Sequence, residues 1–331
     1  MKKNIAVVMG GFSGEHDISI NSGTEVYKAL NKDKYNVYRI VIDRNDWYYL
    51  SDDNQKTSVD KNDFSICLDN KKITFDLAFI IVHGDPGENG RLQGYFDMIG
   101  MPYNTCGFYT SALTFNKGYC NAVVRNFGVI NLAKSKVVYA DRNIDADEIL
   151  SDLELPVFVK PASGGSSVGM SKVKEKAELL PAIEKALHED CEVLIEEFIQ
   201  GREFGCGVLQ TKTEKLVFPI TEIIPIGREY FDYEAKYQNA PVTITPHANI
   251  HEHERESIVR YTHALARLFG IRDLGRFDYF LTGDGKLYFN EINPFPGFTQ
   301  DSLYPTLVQN LGFDYKTLLL TLIENAYARG I

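Results

Sequence analysis

The chain has 331 residues, enough for two or three domains with buried cores, and 44% of them are hydrophobic. Its 45 acidic and 35 basic residues give a net charge of −10, which disfavours nucleic acid and anionic membranes as partners because phosphate contact needs a basic surface. Five scattered cysteines without a CxxC pair argue against a disulfide framework or a thiolate metal site. Glycine breaks the short apolar run at the N-terminus, and the run 77–82 is too short for a bilayer. We therefore predict a soluble, cytoplasmic protein.

The first third of the chain alternates short apolar runs with helical patterns. Strands are predicted at 5–9, 37–42 and 77–82, a glycine-rich turn at 10–14 and a helix over 19–30. This alternation favours βαβ units and a parallel sheet. The polar segment 51–72 is predicted to form hairpins or loops.

The pattern of the rest of the chain is typical of α+β units. A helical pattern covers 110–127; a strand at 157–160, a helix over 175–188 and a strand at 193–198 follow; then come strands at 205–209 and 216–224, a helix over 252–269, a hairpin at 276–293 and a closing helix over 315–328. We predict three lobes with the boundaries 1–116, 117–203 and 204–331.

The stretch RFDYFLTGDGKLYFNEIN (276–293) predicts a β-hairpin, because two aromatic-rich runs flank a central Asp-Gly. That dipeptide favours a two-residue type I′ turn. Paired residue numbers then sum to 569, so Asp278 lies opposite Glu291. Arg276 lies opposite Asn293. Residues two apart share a face, so all four project from one side of the hairpin.

This register is conditional, since a three-residue loop would put Asn290 opposite Asp278 instead. Two facing carboxylates lie about 5 Å apart at Cβ and repel each other, so a compensating charge is needed. A divalent cation held by Asp278, Glu291 and the Asn293 amide oxygen would supply it, and magnesium is usually held this way together with substrate phosphates. Arg276 would suit an anion or a developing negative charge. The alternative is a solvated surface hairpin in which Arg276 pairs with Asp278, and spacing alone leaves both open.

A small-residue loop, Gly164-Gly165-Ser166-Ser167, follows a strand that ends at Lys160. Backbone N–H groups in such a loop can approach phosphate oxygens, and a lysine adds a donor. It is not a Walker A loop, because no GK[ST] follows the glycines. Alone, such a loop is more often an ordinary turn. An isolated lysine on a helical pattern, such as Lys117, is much more often a solvated surface residue.

The segment GGFSGEHDIS (10–19) follows a strand and precedes a helix, which is where open parallel sheets bind ligands. It lacks GxGxxG, so a nicotinamide dehydrogenase is disfavoured. Glu15 could meet an ammonium group or cap the helix. His83, which precedes the loop GDPGENG, could be functional or structural.

Together these residues resemble the ATP-grasp family, in which two α+β lobes hold ATP between them. The resemblance lies in Lys160 with its glycine loop, in Glu196-Glu197-Phe198-Ile199 and in Asp278 with Glu291-x-Asn293. Five collinear motifs narrow it to the D-alanine–D-alanine ligases: GGFSGEHDIS (10–19), HGDPGENGRLQGYFDMIGMPY (83–103), GGSSVGMSKV (164–173), FDYEAKY (231–237) and GFTQDSLYP (297–305). The fold class it implies is α/β and α+β: an N-terminal parallel α/β lobe, then two α+β lobes that clasp ATP.

The resemblance implies ATP-dependent joining of two D-alanines into D-alanyl-D-alanine through an acyl phosphate, for peptidoglycan precursors. It implies ATP and magnesium (or manganese) as cofactors and a homodimer as the assembly. Alternatives are a D-alanyl-D-lactate or D-alanyl-D-serine ligase and a non-catalytic nucleotide-binding protein of the same fold. The implied nucleotide contacts are Lys117, Lys160, Gly164, Gly165, Ser167, Glu196, Phe198, Ile199 and, at the ribose, Glu203; the implied metal ligands are Asp278, Glu291 and Asn293.

The resemblance also implies the residues that handle the two substrates. By this resemblance Glu15 binds the ammonium of the first D-alanine, and His83 lies near its carboxylate or acyl phosphate. Arg276 is implied to stabilise the tetrahedral oxyanion, and Ser302 with the Leu303 backbone to hold the carboxylate of the second D-alanine. Ser166 and Tyr237 are implied to form a closing triad with Glu15, to which Lys236 adds positive charge. The segment 229–249 is the candidate lid.

Three places depart from the family's pattern. Gly164 replaces an acidic residue, Pro294-Phe295 replaces a small polar pair, and Asp301 precedes Ser302. Because proline fixes φ and removes an N–H, the backbone after Asn293 is expected to run differently.

Overall fold

The computed structural model describes residues 2–165, 168–225, 242–245, 247–299, 302–309 and 311–329. In these ranges three sheets follow one another along the chain, each with its own apolar core. All five cysteines are free thiols, in agreement with the sequence prediction. No helix in the described ranges is both long enough and apolar enough to span a bilayer.

The N-terminal sheet has seven strands in the order β6-β5-β4-β3-β2-β1-β7. Its elements are β1 (Lys3–Gly10), α1 (His16–Ala29), β2 (Tyr35–Ile42), β3 (Trp47–Leu50), β4 (Lys56–Asp60), β5 (Ser65–Leu68), β6 (Lys71–Ile73), β7 (Leu77–Ile80), α2 (Arg91–Met98) and α3 (Phe108–Phe115). Strand β1 runs parallel to β2 and β7, whereas β3 to β6 form antiparallel hairpins. The predicted parallel sheet is therefore confirmed for three strands, and the predicted hairpins for 51–72.

Strand β1 is buried on both faces, which explains its continuous apolar sequence. Ile5, Val7 and Met9 pack with α1 and the last helix of the chain. Ala6 and Val8 point to the other face, towards α2. The glycine-rich turn begins where β1 ends, at the edge of the sheet where such folds bind ligands.

The central sheet has four antiparallel strands in the order β11-β10-β12-β9. The elements of this part are α4 (Lys117–Phe127), β8 (Asn131–Leu132), β9 (Ser135–Tyr139), α5 (Ala146–Leu150), β10 (Val157–Pro161), β11 (Ser171–Val173), α6 (Lys176–Leu187) and β12 (Glu192–Glu197). Leu179 and Ile183 of α6 cover Val157 and Val159 of β10. The helix thus buries one face of this sheet, and Phe158 and Glu196 on the other face line a pocket together with Phe280 and Phe289 from the C-terminal part of the chain.

The C-terminal sheet has the strand order β16-β15-β13-β17-β18-β8, with β14 paired to β13. Its elements are β13 (Gly201–Gln210), β14 (Lys215–Val217), β15 (Thr221–Pro225), β16 (Val242–Thr245), α7 (Glu252–Leu268), β17 (Leu274–Thr282), β18 (Leu287–Asn293), α8 (Leu303–Gln309) and α9 (Tyr315–Arg329). The single strand predicted at 216–224 is wrong. Both β14 and β15 pair with β13, with Val217 opposite Val208 and Thr221 opposite Gly205, so one extra residue between them interrupts the ladder.

The three predicted lobe boundaries stay a prediction. Strand β13 crosses the predicted boundary at 203–204, and β8 of the predicted central lobe pairs with β18 of the C-terminal sheet. Several short elements had no prediction, among them β9, α5 and α8.

Candidate active site

The β17–β18 hairpin pairs its four polar residues as the sequence predicted. Arg276 lies opposite Asn293, and Asp278 lies opposite Glu291. Asp278 is only 2% exposed, so the alternative of a solvated surface hairpin is wrong. The predicted Arg276–Asp278 pairing within that alternative nevertheless occurs, in a buried setting.

The predicted turn is wrong although the register at the site is right. The Thr282 N–H donates to Lys286 O at 3.0 Å, so the loop has three residues, and Gly285 in it has a φ of +78°. Such a loop shifts the pairing by one residue. A β-bulge beside Asp278 absorbs one extra residue, Asn290, and restores the register.

Arg276 holds Asp278 with two parallel hydrogen bonds. Its Nε donates to Oδ1 at 2.9 Å and its Nη2 to Oδ2 at 2.8 Å. Burial works against the guanidinium charge, but Asp278, Glu291 and Glu203 outweigh it and raise the pKa of Arg276. Three carboxylates thus act on one guanidinium, and the surplus of negative charge favours an added cation.

The side chain of Asn293 indicates whether the hairpin suits a metal ion. Its Oδ1 is buried and has no hydrogen-bond partner in the described part of the chain, an arrangement that costs about 1–3 kcal/mol. Together with the carboxylates of Asp278 and Glu291 it makes an all-oxygen donor set, which magnesium prefers. The described ranges hold no group of three or more His, Cys, Asp or Glu side chains suited to a metal. The mixed set on this hairpin fits magnesium that is also bound by substrate phosphates.

Lys117 and the glycine loop are in direct contact. Lys117 is the first residue of α4, and Asn116 caps this helix by accepting from the Tyr119 N–H at 3.0 Å. The Lys117 Nζ donates to Gly164 O at 2.7 Å. Gly164 has a φ of +129°, a conformation that favours glycine. Lys117, which the sequence pattern alone did not distinguish from a surface lysine, therefore lies at the predicted phosphate loop.

Lys160 is the last residue but one of β10 and forms an ion pair with Glu196 on the neighbouring strand β12. Both residues are 9% exposed. A buried lysine and a carboxylate hold each other in place at little net gain in stability. The pair places Lys160 beside the predicted adenine segment.

The predicted adenine segment borders a small aromatic pocket. The Phe198 ring meets Phe158 edge-on at 5.8 Å, and Lys172 Nζ lies 3.7 Å above the Phe198 ring centre. Glu203 lies nearby on β13, opposite Phe280. The residues that line the pocket are Asn121, Ala133, Phe158, Glu196, Glu197, Phe198, Ile199, Phe280, Phe289 and Asn290.

Glu15 lies where the N-terminal motif meets the glycine loop. It occupies the N-cap position of α1, but its side chain makes no capping hydrogen bond, so the capping alternative is wrong. A methyl group on Gly165 would lie 2.9 Å from Glu15 Oε2, and one on Gly84 would lie 3.4 Å from it. The two glycines let two loops approach this carboxylate.

His83 lies just beyond the end of β7 and is 5% exposed. Its ring packs against the Phe295 ring at a tilt of 37°, with centroids 5.4 Å apart. Burial lowers the pKa of His83, although the Glu15 carboxylate opposes this effect. The imidazole is therefore neutral near pH 7.

Glu88 is a site residue that the sequence reasoning missed. Its Oε2 accepts from the Gly84 N–H at 2.6 Å. Burial and then the Glu15 carboxylate raise the pKa of Glu88 to about 8, with smaller effects from Lys117 and Glu291. The carboxyl therefore lies between the N-terminal motif and the hairpin. The available signal was an acid within the loop GDPGENG, directly after a buried strand.

The remaining predicted residues fall into two groups. Ser302 directly precedes Leu303, the first residue of α8, and its Oγ accepts from the Thr299 N–H at 3.1 Å. Ser166, Ser167, Lys236, Tyr237 and Asp301 lie outside the described residues, as does the candidate lid 229–249 apart from 242–245 and 247–249. Their roles stay predictions.

Known protein families match most of this chain. A family model described as D-ala D-ala ligase N-terminus matches residues 4–106, and one described as D-ala D-ala ligase C-terminus matches residues 124–324. The chain is 44% identical over 325 residues to the D-alanine--D-alanine ligase of Parabacteroides distasonis, covering 98% of each chain.

Solved structures are similar over the whole length. The VanG D-Ala:D-Ser ligase from Enterococcus faecalis has a TM-score of 0.86 at 33% identity, with 98% of this chain and 100% of that chain covered. The D-alanine--D-Alanine ligase from Bacillus anthracis complexed with ATP has a TM-score of 0.78 at 26% identity, with 99% and 98% covered. The expected ATP-grasp architecture is confirmed. The chain belongs to the D-alanine–D-alanine ligase family.

Proposed function

We propose that this protein joins two D-alanines into D-alanyl-D-alanine for peptidoglycan precursors, with ATP converted to ADP and phosphate. The observation that carries the proposal is the buried hairpin on which Arg276, Asp278, Glu291 and Asn293 project together. It lies in a chain that is similar over nearly its full length to D-alanine–D-alanine ligases.

The first step makes the carboxylate of one D-alanine reactive. A carboxylate is a poor electrophile, so one of its oxygens attacks the γ-phosphorus of ATP and ADP leaves. Lys117, the Gly164–Gly165 backbone and Lys160 would bind the phosphates, with Glu196, Phe198 and Ile199 at the adenine and Glu203 at the ribose. Magnesium held by Asp278, Glu291 and Asn293 would offset the repulsion between carboxylate and triphosphate. Glu15 would bind the ammonium group of this D-alanine, with His83 near its carboxylate.

The second step forms the peptide bond. The amine of the second D-alanine attacks the acyl carbon, and negative charge develops on the carbonyl oxygen before phosphate leaves. The contact with Asp278 uses Nε and Nη2 of Arg276, and a guanidinium has five N–H donors. The donors on Nη1 would stabilise this oxyanion.

The second substrate decides between the closest rivals. Ser302 and the Leu303 backbone would hold its carboxylate, and Lys236, Ser166 and Tyr237 would close the site with Glu15. The solved VanG D-Ala:D-Ser ligase makes D-serine the first rival to test. We favour D-alanine because the identity to D-alanine–D-alanine ligases is higher, at 44%.

We further propose a cytoplasmic homodimer. All five cysteines are free and two of them are exposed, which suits a reducing compartment. The dimer is inferred from the family resemblance, and sedimentation of the purified protein tests it.

The test is phosphate release with ATP and magnesium, comparing D-alanine alone with D-alanine plus D-serine or D-lactate. We expect release with D-alanine and none with L-alanine. Mass spectrometry should find D-alanyl-D-alanine in an amount equal to the phosphate. ATP binding without release would instead support the non-catalytic alternative.

A further inference from the structure

The His83 ring packs against an aromatic side chain. Phe295, which is 2% exposed, packs against the imidazole with centroids 5.4 Å apart and ring planes tilted by 37°. Phe295 also stacks on Phe298, at 5.7 Å and 18°, and Phe298 in turn lies against Phe79 of strand β7. The imidazole is thus packed against the same apolar core that supports the N-terminal sheet.

One polar atom of this ring lacks a partner. His83 Nε2 is buried and makes no hydrogen bond within the described part of the chain. A buried polar atom in this state costs about 1–3 kcal/mol, and exceptions of this kind call for an explanation such as a ligand or a catalytic role. In the proposed function the missing partner is a carboxylate oxygen of the first D-alanine, which would accept from an Nε2–H.

The charge state of the ring matters because acidic groups face it. Glu15 acts on it from the N-terminal end of α1, and the Glu88 carboxyl is held by the N–H of the next residue, Gly84. An imidazolium would attract the Glu15 carboxylate. It would then compete with the ammonium group that the proposed function assigns to Glu15.

We propose that Phe295 is a positioning residue: by covering His83 it keeps the imidazole uncharged and its Nε2 available to the first D-alanine, and so reserves Glu15 for the ammonium group of that substrate. The proposal rests on the proposed function for the substrate and for the groups of that substrate that His83 and Glu15 bind. The shielding of His83 is a property of the fold and can be measured without turnover.

Histidine-selective ¹³C labelling and NMR titration of the seven histidines test the shielding. The His83→Gln variant serves only to assign the His83 signal. In the wild type we expect the pKa of His83 to lie below its ordinary value of 6.5. In Phe295→Leu we expect this pKa to be about one unit higher than in the wild type, because water reaches the ring.

Phe218→Leu is the matched control. It makes the same change in a buried phenylalanine of the same core, but the ring contact there is with Tyr304. We expect the His83 titration to be unchanged in it. Phe295→Met, which keeps most of the volume, replaces Phe295→Leu if that variant does not fold. An unchanged His83 titration in both Phe295 variants, or an equal change in Phe218→Leu, would overturn the proposal.

Kinetics test the consequence for Glu15. Because a higher pKa lowers the neutral fraction of His83 only at pH values near or below that pKa, Phe295→Leu should raise KM for the first D-alanine by about threefold near pH 6 and little near pH 9. The KM for ATP should not follow this pattern. A shifted pKa of His83 with an unchanged KM for D-alanine would overturn the role given to Glu15. If the pKa of His83 is shifted in Phe295→Leu but the wild-type protein shows no D-alanine-dependent turnover, the shielding of His83 by Phe295 would be supported and the proposed function contradicted.

Discussion

Two buried arginine–aspartate pairs lie at the same strand and differ in what surrounds them. Arg276 and Asp278 are two residues apart on β17, and further carboxylates and an unpartnered amide oxygen lie around them. Asp273 precedes β17 and binds Arg329 of the last helix at 2.5 Å, while Arg329 also donates to Tyr103 O in the N-terminal part. Further carboxylates act on the arginine of the first pair. The second pair also has a buried oxygen without a partner in the described part of the chain, Asp273 Oδ2, but its arginine joins three distant segments.

The comparison teaches that burial of an ion pair does not by itself mark a functional site. Buried pairs are weak evidence for stability, yet removing one partner costs about 3–5 kcal/mol because a charge is left unpaired. The environment decides the role. Predictions for each pair therefore concern different measurements: activity for Arg276, stability for Arg329.

The largest effect on stability is expected for Arg329→Ala. The change leaves the Asp273 carboxylate buried without its arginine, so the free energy of unfolding should fall by about 3–5 kcal/mol. Denaturant unfolding measures this, with Arg329→Lys as the control that keeps the charge. At temperatures where the variant is folded, kcat should stay close to that of the wild type. Loss of activity with unchanged unfolding would place Arg329 in the chemistry instead.

Arg276→Ala should also destabilise the fold, because it leaves the buried Asp278 carboxylate without its arginine, but the effect that distinguishes it is on the reaction rate. Removing one donor to an oxyanion typically costs a factor of about 10²–10³ in rate, so dipeptide formation should be largely abolished. ATP affinity, measured by equilibrium binding with magnesium present, should be nearly unchanged. An equal loss of both would mean that Arg276 binds nucleotide rather than the transition state.

The pairs also differ in pH dependence. Burial raises the pKa of Asp273 to about 6, although Arg329 opposes it, against an ordinary value of 3.8. The folded state thus binds the proton more tightly, so this stabilisation is full below about pH 4 and is lost as pH rises through about 6. Relative to Asp273→Asn, the wild type should lose about 3 kcal/mol over that range. Parallel stability curves for the two proteins would contradict the raised pKa.

The smallest expected effect is a gain in stability. In Asn293→Leu the buried oxygen without a partner is replaced by an apolar group, so the protein without nucleotide and magnesium should be more stable by about 1 kcal/mol. Thermal unfolding measures the gain, and the same variant should lose magnesium-dependent activity. Lower stability without magnesium would show that Asn293 has a structural partner.

Sequence reasoning predicted the hairpin because its pattern is local. The two-residue alternation along β17 and β18 determines which side chains share a face. The turn prediction failed, since Asp-Gly is compatible with both a two-residue and a three-residue loop. The bulge at Asn290 that compensates for the loop leaves no distinct signal in the sequence. The register at Asp278 was therefore predicted correctly on an incorrect premise.

The other half of the site could not be derived from local pattern. Glu15, His83 and Gly165 meet only because loops from two different sheets approach one another, and no spacing in the sequence encodes that contact. Their roles came from the resemblance to the family. Glu88 was overlooked because its raised pKa arises from burial and from the nearby Glu15 carboxylate, both of which are tertiary effects.

The central claim is that the substrate carboxylate is activated as an acyl phosphate before the peptide bond forms. The most direct test uses D-alanine labelled with ¹⁸O in its carboxyl group and analyses the released phosphate by mass spectrometry. The account predicts one ¹⁸O atom in each phosphate, because the oxygen that attacks ATP leaves with the phosphorus. Unlabelled phosphate formed alongside the dipeptide would contradict it.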